Sequence, residues 1–133
     1  MSDAAMIKAQ IPAHPADGEV TALADVLALA PDPGWQWRML YLEAMTRPDC
    51  PIDVLDVERS IDKSPQGLSY AWPDLVSLAD QLFQTIEIAI VAFDDAHRCV
   101  LVVECLDSSY WRILADKTDQ RATQALERIA TLR

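Results

Sequence analysis

The chain has few of the residues that build cofactor sites. Its 133 residues include only three glycines, all widely separated, so a glycine-rich loop for phosphate is not expected. Its cysteines, Cys50, Cys99 and Cys105, are an odd set without the spacing of metal ligands, and no histidine and carboxylate cluster has that spacing either. We therefore expect no metal ion and no other cofactor.

The two histidines lack the neighbours that a catalytic site needs. His14 lies in a segment without periodic pattern and His97 in a predicted turn, so neither is held beside a serine or cysteine by a third group. Ser108 and Ser109 also fall in a predicted turn, where hydroxyl groups satisfy local hydrogen bonds. We expect that the protein is not an enzyme.

Apolar runs that could cross a membrane are absent. The richest run begins at Ile86 and is interrupted by Glu87, Asp94 and Glu104, whereas a membrane helix needs about 18 or more apolar residues in succession. Residues 1–20 hold one lysine and two prolines without a sustained apolar run, so we expect no secretory leader. These features predict a cytoplasmic protein that does not enter membranes.

Basic side chains are scarce. The chain has 21 acidic and 11 basic residues, which gives a formal net charge of −10. This balance opposes binding to nucleic acid, which depends on cations that neutralise phosphates, and it repels anionic lipid headgroups. It favours encounter with a protein that has a basic surface, although the charge could equally serve solubility.

The negative charge is concentrated before residue 98. Residues 1–97 carry 16 acidic and 5 basic side chains, and no lysine or arginine occurs from Ser64 through His97. We predict that acidic residues of this region and two aromatic residues form a surface for a basic partner. The predicted partner-binding residues are Asp53, Asp56, Glu58, Asp62, Tyr70, Trp72, Asp74, Asp94 and Asp95. The alternatives are an ordinary solvated face for the acids and helix-start packing for the aromatics.

Three segments rich in β-branched residues predict an antiparallel β-meander. They are residues 86–93, 99–106 and 110–114, and they are separated by turn-forming residues at 94–97 and 107–109. Strand is the better interpretation than helix because the runs are short and bounded by turn residues.

Helical periodicity is expected in five other segments. They are residues 19–30, 35–46, 52–61, a segment that begins at Pro73 and one that begins after Thr118. Residues 33–46 also fit a strand, because Trp35, Trp37, Met39 and Tyr41 alternate, and residues 52–61 are ambiguous as well. The predicted fold is α+β: N-terminal helices, a three-stranded antiparallel meander packed by helices, and a C-terminal helix. We expect residues 1–18 to form a flexible tail and residues 19–133 a single domain.

The meander places one group of charged residues together. If both turns close symmetrically, Glu87 lies opposite Glu104, and Glu104 lies opposite Arg112. Two adjacent carboxylates and a cation could act as a general acid and base or anchor a basic ligand. An ion-pair ladder without function is the preferred interpretation of this polar cluster.

Both faces of the meander are apolar. One is expected to be the core, with Ile86, Ile88, Ile90, Cys99, Leu101, Val103, Cys105, Trp111 and Ile113. The second, which carries Ala89, Val91, Phe93, Val100, Val102, Leu106 and Leu114, is too apolar for a plain solvent face. Either the N-terminal helices cover it or a second chain packs there.

These expectations favour a small acidic protein-binding module. The predicted function is that of an inhibitor or immunity-type protein, which neutralises a basic partner such as a nuclease toxin by occupying the site that would hold phosphate. The alternative is a self-associating accessory protein that forms a homodimer through the second face of its sheet.

Overall fold

The computed structural model describes residues 6–14, 20–30, 34–47 and 53–132, and over these the chain forms one mixed sheet-and-helix structure. The elements in chain order are β1 (Met6–Pro12), α1 (Leu23–Leu27), β2 (Gln36–Thr46), α2 (Val54–Asp62), β3 (Leu68–Tyr70), α3 (Trp72–Gln81), β4 (Leu82–Phe93), β5 (Cys99–Leu106), β6 (Tyr110–Asp116) and α4 (Gln120–Ile129). The strands form a single antiparallel sheet in the order β1-β6-β5-β4-β2-β3.

The fold class predicted from the sequence is wrong. Strands β4, β5 and β6 do lie side by side, but they are half of a six-stranded sheet, and the N-terminal region supplies strands as well as helices. The segment 35–46, predicted as a helix, is strand β2, with Trp37 and Met39 buried and paired with β4. Pairing with a hydrophobic neighbour strand overrides the modest helix propensity of the Met, Leu, Glu and Ala residues in this segment.

The predicted N-terminal tail contains an edge strand. Residues Met6–Pro12 form β1, which pairs with β6 and places Ile11, which is 2% exposed, opposite Trp111. The backbone N–H of Ala13 continues the pairing with a 3.0 Å bond to the carbonyl oxygen of Ser109. Residues 1–5 and 15–18 of that tail lie outside the described residues.

Local side chains determine where the helices begin. The Asp53 carboxylate accepts a 3.0 Å bond from the N–H of Leu55 and starts α2. Pro73 occupies the first turn of α3, where its missing N–H has no intrahelical acceptor. Asp119, rather than Thr118, caps α4 by accepting from the N–H of Ala122 at 2.9 Å. Helix α1 is shorter than the predicted segment 19–30.

Helices α1, α3 and α4 pack with one face of the sheet, which we call the covered face. Its side chains form one continuous core that includes Ile90, Val103, Trp111 and Ile113, none of them exposed to solvent. The indole N–H of Trp111 donates a 2.9 Å hydrogen bond to the carbonyl oxygen of Thr21, which ties the segment before α1 to β6. Burial of these large apolar side chains is the main source of stability.

The opposite face of the sheet, which we call the open face, stays outside this core. The core cluster leaves out Val91, Val102 and Leu114, whose side chains point away from the covered face. The first alternative for the second face, cover by the N-terminal helices, is therefore not realised among the described residues. Helix α2 packs against β2 and contributes Ile61 to the same core, and the short strand β3 pairs with Trp37–Met39 of β2.

The turn between β4 and β5 differs from the predicted symmetric hairpin. It contains five residues, Asp94–Arg98, and a bulge follows at Val100, so the two strands slip by two residues. A shift of two keeps each β4 side chain on its predicted face. The bulge exchanges two predicted positions: Val100 is in the core, and Cys99 lies opposite Phe93 on the open face.

Within the described part of the chain, every helix is too short or too polar to pass through a lipid bilayer.

Candidate binding surface on the open face of the sheet

The open face is apolar in its centre. One rung of the sheet brings together Leu114, Val102, Val91 and Arg38, and the next places the Arg112–Glu104 pair beside Ala89. Several of these side chains are partly exposed, as expected for a flat sheet surface without a second layer above it.

The β2 end of this face has large exposed hydrophobic side chains. Leu40 and Tyr41 are each 44% exposed, and Met45 is 52% exposed. The β2–β4 register shifts between Met39 and Tyr41, which marks an irregularity at Leu40. Exposed apolar side chains that adjoin one another mark interaction surfaces more often than scattered single residues do.

Four carboxylates surround Tyr41 at this end, and we call them the acidic corner: Glu43, Glu58, Asp62 and Glu87. Glu43 and Glu87 are directly opposite each other on β2 and β4, and Glu58 and Asp62 lie one turn apart on α2. Strand β2 and helix α2 thus bring residues distant in sequence to one place.

The electrostatic effect of the corner is visible in two groups. The pKa of the Tyr41 phenol is raised, chiefly by the negative charge of Glu43 and then by burial and the other three carboxylates. The pKa of Glu58 is raised by partial burial, and by Glu43 and Asp62. Each shift means that another negative charge is disfavoured there.

Within the described part of the chain, the carboxylates of the corner are not neutralised by a basic side chain. Among the residues that the structure describes, no lysine, arginine or histidine nitrogen forms an ion pair with any of its four carboxylates. Its geometry is also unsuitable for a metal: over the described ranges, no three Asp, Glu, His or Cys side chains are arranged to hold an ion. The corner can therefore attract a cationic group from outside the chain.

The predicted partner-binding acids are divided among several places. Only Glu58 and Asp62 belong to the acidic corner. Asp53 caps α2, and Asp56 forms an exposed ion pair with Arg59 at 3.2 Å. These two carboxylates already have partners within their own helix, which leaves them less available to another protein.

Asp94 and Asp95 lie in the β4–β5 turn, apart from the corner. Asp94 forms a 2.9 Å ion pair with Arg98, and the pKa of its carboxyl is lowered, first by a hydrogen bond from the Arg98 backbone N–H. Both aspartates line a polar cavity of about 520 Å³ that Trp35 and Asp119 also border. Asp94 therefore has a structural role in closing this turn.

The two predicted aromatic anchors are largely structural. Trp72 packs on Trp37 with ring centroids 5.1 Å apart, and Trp37 is 1% exposed. Tyr70 is in β3 opposite Trp37, and burial, followed by the charge of Asp74 at the start of α3, raises the pKa of its phenol. The packing of Trp72 agrees with the alternative in which an aromatic residue secures a helix start.

The polar cluster predicted from the meander is only partly assembled. Glu104 pairs with Arg112 at 3.0 Å, and the two are opposite in register as predicted. Glu87 is not opposite Glu104, because the slip of two residues places Ala89 there and leaves Glu87 facing Glu43. The cluster therefore lacks the directly opposed carboxylates that a general acid and base pair would have used.

The cysteines offer no activated thiol among the described residues. Burial raises the pKa of Cys105 to about 11, and its thiol lies 3.7 Å from the carbonyl oxygen of Thr85. Burial also raises the pKa of Cys99. Both groups are mainly thiols at neutral pH, which is the less nucleophilic form.

Sequence reasoning missed Tyr41 and Glu43. Both lie in the segment interpreted as a helix, in which they would not have faced Glu87. The alternation of Trp35, Trp37 and Met39 was the available signal for a strand, but the irregularity at Leu40 interrupts it before Glu43.

Comparison with known proteins finds no family model, no curated protein and no solved structure that matches this chain.

Proposed function

We propose that the chain is a non-catalytic binding module that inhibits a basic protein by holding it at the acidic corner and the adjoining apolar part of the open face. The observation that carries this proposal is the corner itself: four neighbouring carboxylates with no ion pair among the described residues. Lysine and arginine side chains from a partner would supply the missing cations.

Stability alone does not account for the corner. Directly opposed carboxylates on neighbouring strands, and like charges one turn apart on a helix, are each unfavourable for folding by a few tenths of a kcal/mol. Such residues are useful where they bind something, since natural sites are often built at a cost in stability. A cationic partner would turn this repulsion into attraction.

The apolar neighbours would provide most of the binding energy. Leu40, Tyr41 and Met45 are all exposed next to the corner. Large side chains of this kind act as anchors in protein interfaces, while the surrounding charges speed association and select the partner.

A basic enzyme that acts on a polyanion is the class of target that fits best. Carboxylates from an inhibitor can occupy a site that otherwise binds phosphate, as an immunity-type protein would do to a nuclease toxin. This assignment rests on charge complementarity. The cytoplasm is the compartment we propose, and the free thiols Cys99 and Cys105 suit its reducing conditions.

The test is to recover the partner and measure its affinity for matched variants. Protein captured from a cytoplasmic extract at low salt would be identified, purified and titrated against the wild type, Glu43→Gln/Glu87→Gln and the control Glu127→Gln. Glu127 is an exposed acid on α4, outside the corner. We expect a basic partner whose affinity falls more than tenfold with the double variant, falls sharply with salt and is unchanged by the control. An acidic partner, or affinity insensitive to salt and to the double variant, would contradict the proposal.

The uncovered apolar sheet face supports a second candidate, a homodimer that joins through it. Val102 and Leu114 would then be buried by the same residues of a second copy. Sedimentation equilibrium would show the 14.8 kDa chain doubling its mass with concentration at both low and high salt. A monomer at all concentrations would exclude this candidate and leave the first intact.

A further inference from the structure

We propose that a groove on the open face, separate from the acidic corner, binds a free medium-chain fatty acid. The groove has a volume of about 410 Å³ and is bounded by β2, β4, the loop before β3 and the β4–β5 turn; its lining residues are Gln36, Arg38, Leu40, Gln66, Val91, Phe93 and His97. This volume lies in the range of small-molecule sites. None of the four carboxylates of the corner lines it, although Leu40 belongs both to the groove and to the apolar surface proposed for the basic partner.

Gly67 allows the loop to form one wall of the groove. A Cβ atom at this position would lie 2.6 Å from the backbone oxygen of Met39 and 2.7 Å from Leu40 Cδ2, and its φ of +79° disfavours other residues. The loop can therefore approach β2 closely. The carbonyl oxygen of Gln66 then accepts a 3.3 Å hydrogen bond from Arg38 Nη1.

Arg38 provides the polar recognition. Its guanidinium makes that single bond to a backbone carbonyl, and among the described residues it has no carboxylate within ion-pair distance. A partly buried arginine without an acid is notable in a chain of net charge −10. The guanidinium retains several N–H donors in the planar arrangement that matches a carboxylate.

Three of the other lining residues suit an aliphatic chain. Val91 is 8% exposed and forms part of the floor, Phe93 lies two residues further along the same strand, and Leu40 lies on the neighbouring strand β2. An acyl chain laid over these residues would leave water without losing any hydrogen bond. The groove thus combines a guanidinium and the polar residues Gln36, Gln66 and His97 with an apolar surface formed by Leu40, Val91 and Phe93.

The lining offers few hydrogen-bond donors for a phosphate group. The Arg38 guanidinium lacks the several backbone N–H donors with which proteins usually hold phosphate. A monocarboxylate with an aliphatic chain is therefore the ligand class that the groove favours.

The experiment uses octanoate, with octanol and octylammonium as matched ligands of equal chain length. Two-dimensional NMR of the full chain would follow the amides of Val91 and Phe93 during titration. We expect octanoate to bind at least tenfold more tightly than octanol, and octylammonium not to bind. Arg38→Gln should reduce octanoate affinity to that of octanol while leaving octanol affinity unchanged, and Arg38→Lys should retain part of the difference.

Arg47→Gln is the control, because Arg47 also donates to a backbone carbonyl, that of Asp80 at 2.9 Å, but does not line the groove. We expect this variant to bind octanoate like the wild type. The inference would be overturned if octanoate and octanol bound equally, if Arg38→Gln weakened both to the same extent, or if octanoate left Val91 and Phe93 unperturbed. Success or failure here is separate from any effect of Glu43→Gln/Glu87→Gln on a protein partner.

Discussion

The two faces of the sheet come from the same strands and carry similar apolar residues, but they differ in what lies over them. On β6, Ile113 is fully buried beneath helices, while its neighbour Leu114 is partly exposed on the other side. The covered face supplies the core, and the open face combines apolar side chains with the acidic corner and the Arg38 groove. The comparison teaches that hydrophobicity alone does not tell a core surface from a binding surface.

The largest predicted loss of stability is at Ile113, and it should exceed the loss at its neighbour Leu114 on β6. We expect Ile113→Ala to lower the free energy of unfolding by about 3 kcal/mol, because it leaves a cavity in the packed core. Leu114→Ala should cost only about 1 kcal/mol, since part of that side chain already contacts water and no packed layer over it is left with a cavity. Urea unfolding of both variants measures the difference. Equal losses would mean that the open face is covered in solution.

A second effect tests the loop that shapes the open face. Gly67→Ala should destabilise the protein by about 2–3 kcal/mol, because the new Cβ meets the Met39 backbone and the positive φ is unfavourable for alanine. Gly34→Ala is the matched control: its φ is +93°, but nothing lies within 4 Å of an added Cβ. Gly34→Ala should lower the free energy of unfolding by only about 1 kcal/mol, because only the unfavourable backbone conformation of alanine contributes. Similar losses in both variants would show that the close approach of the loop to β2 is absent.

The smallest effect concerns the acidic corner and has the opposite sign. We expect Glu58→Gln to stabilise the protein by about 0.3 kcal/mol at neutral pH and low salt, because it removes repulsion from Asp62 one turn away. The pKa of Glu58 is raised in the folded state, mainly by partial burial and then by Glu43 and Asp62. Protonation of Glu58 therefore favours folding. As the pH falls through the pKa of this group in the folded and then in the unfolded state, the free energy of unfolding of the wild type approaches that of the variant.

Unfolding at several pH values and salt concentrations would check this last prediction. The advantage of Glu58→Gln should decrease with added salt and disappear below about pH 4, where the carboxylate is also protonated in the unfolded chain. Asp56→Asn is a suitable control, since Asp56 is exposed and pairs with Arg59. A neutral or destabilising effect of Glu58→Gln at neutral pH would argue against mutual repulsion in the corner.

The sequence was most informative about segments with strong local signals. The three strand segments of the meander, the helix that starts near Pro73 and the last helix all lie close to their predicted positions. Each combines a clear apolar period with a turn former or a capping residue at its boundary. The Glu104–Arg112 pairing was also predictable, because a three-residue turn leaves little freedom in register.

The N-terminal strands were not predictable in the same way. Strand β1 is held by a strand whose paired residues lie 98 to 110 positions later in the sequence, and β2 has an irregularity that breaks its alternation. Their identity depends on long-range pairing that local propensity does not encode. The acidic corner was missed for the same reason, since Glu43 and Glu87 meet only when β2 pairs with β4.

The pairing of β1 with β6 also has a kinetic consequence. Met6 lies opposite Asp116, so β1 can join the sheet only after the chain has been synthesised through β6. Until β6 has formed, β1 lacks the strand with which it pairs in the native sheet. Such distant contacts slow folding. The pairing of β1 with β6 should therefore be a late step in reaching the native state.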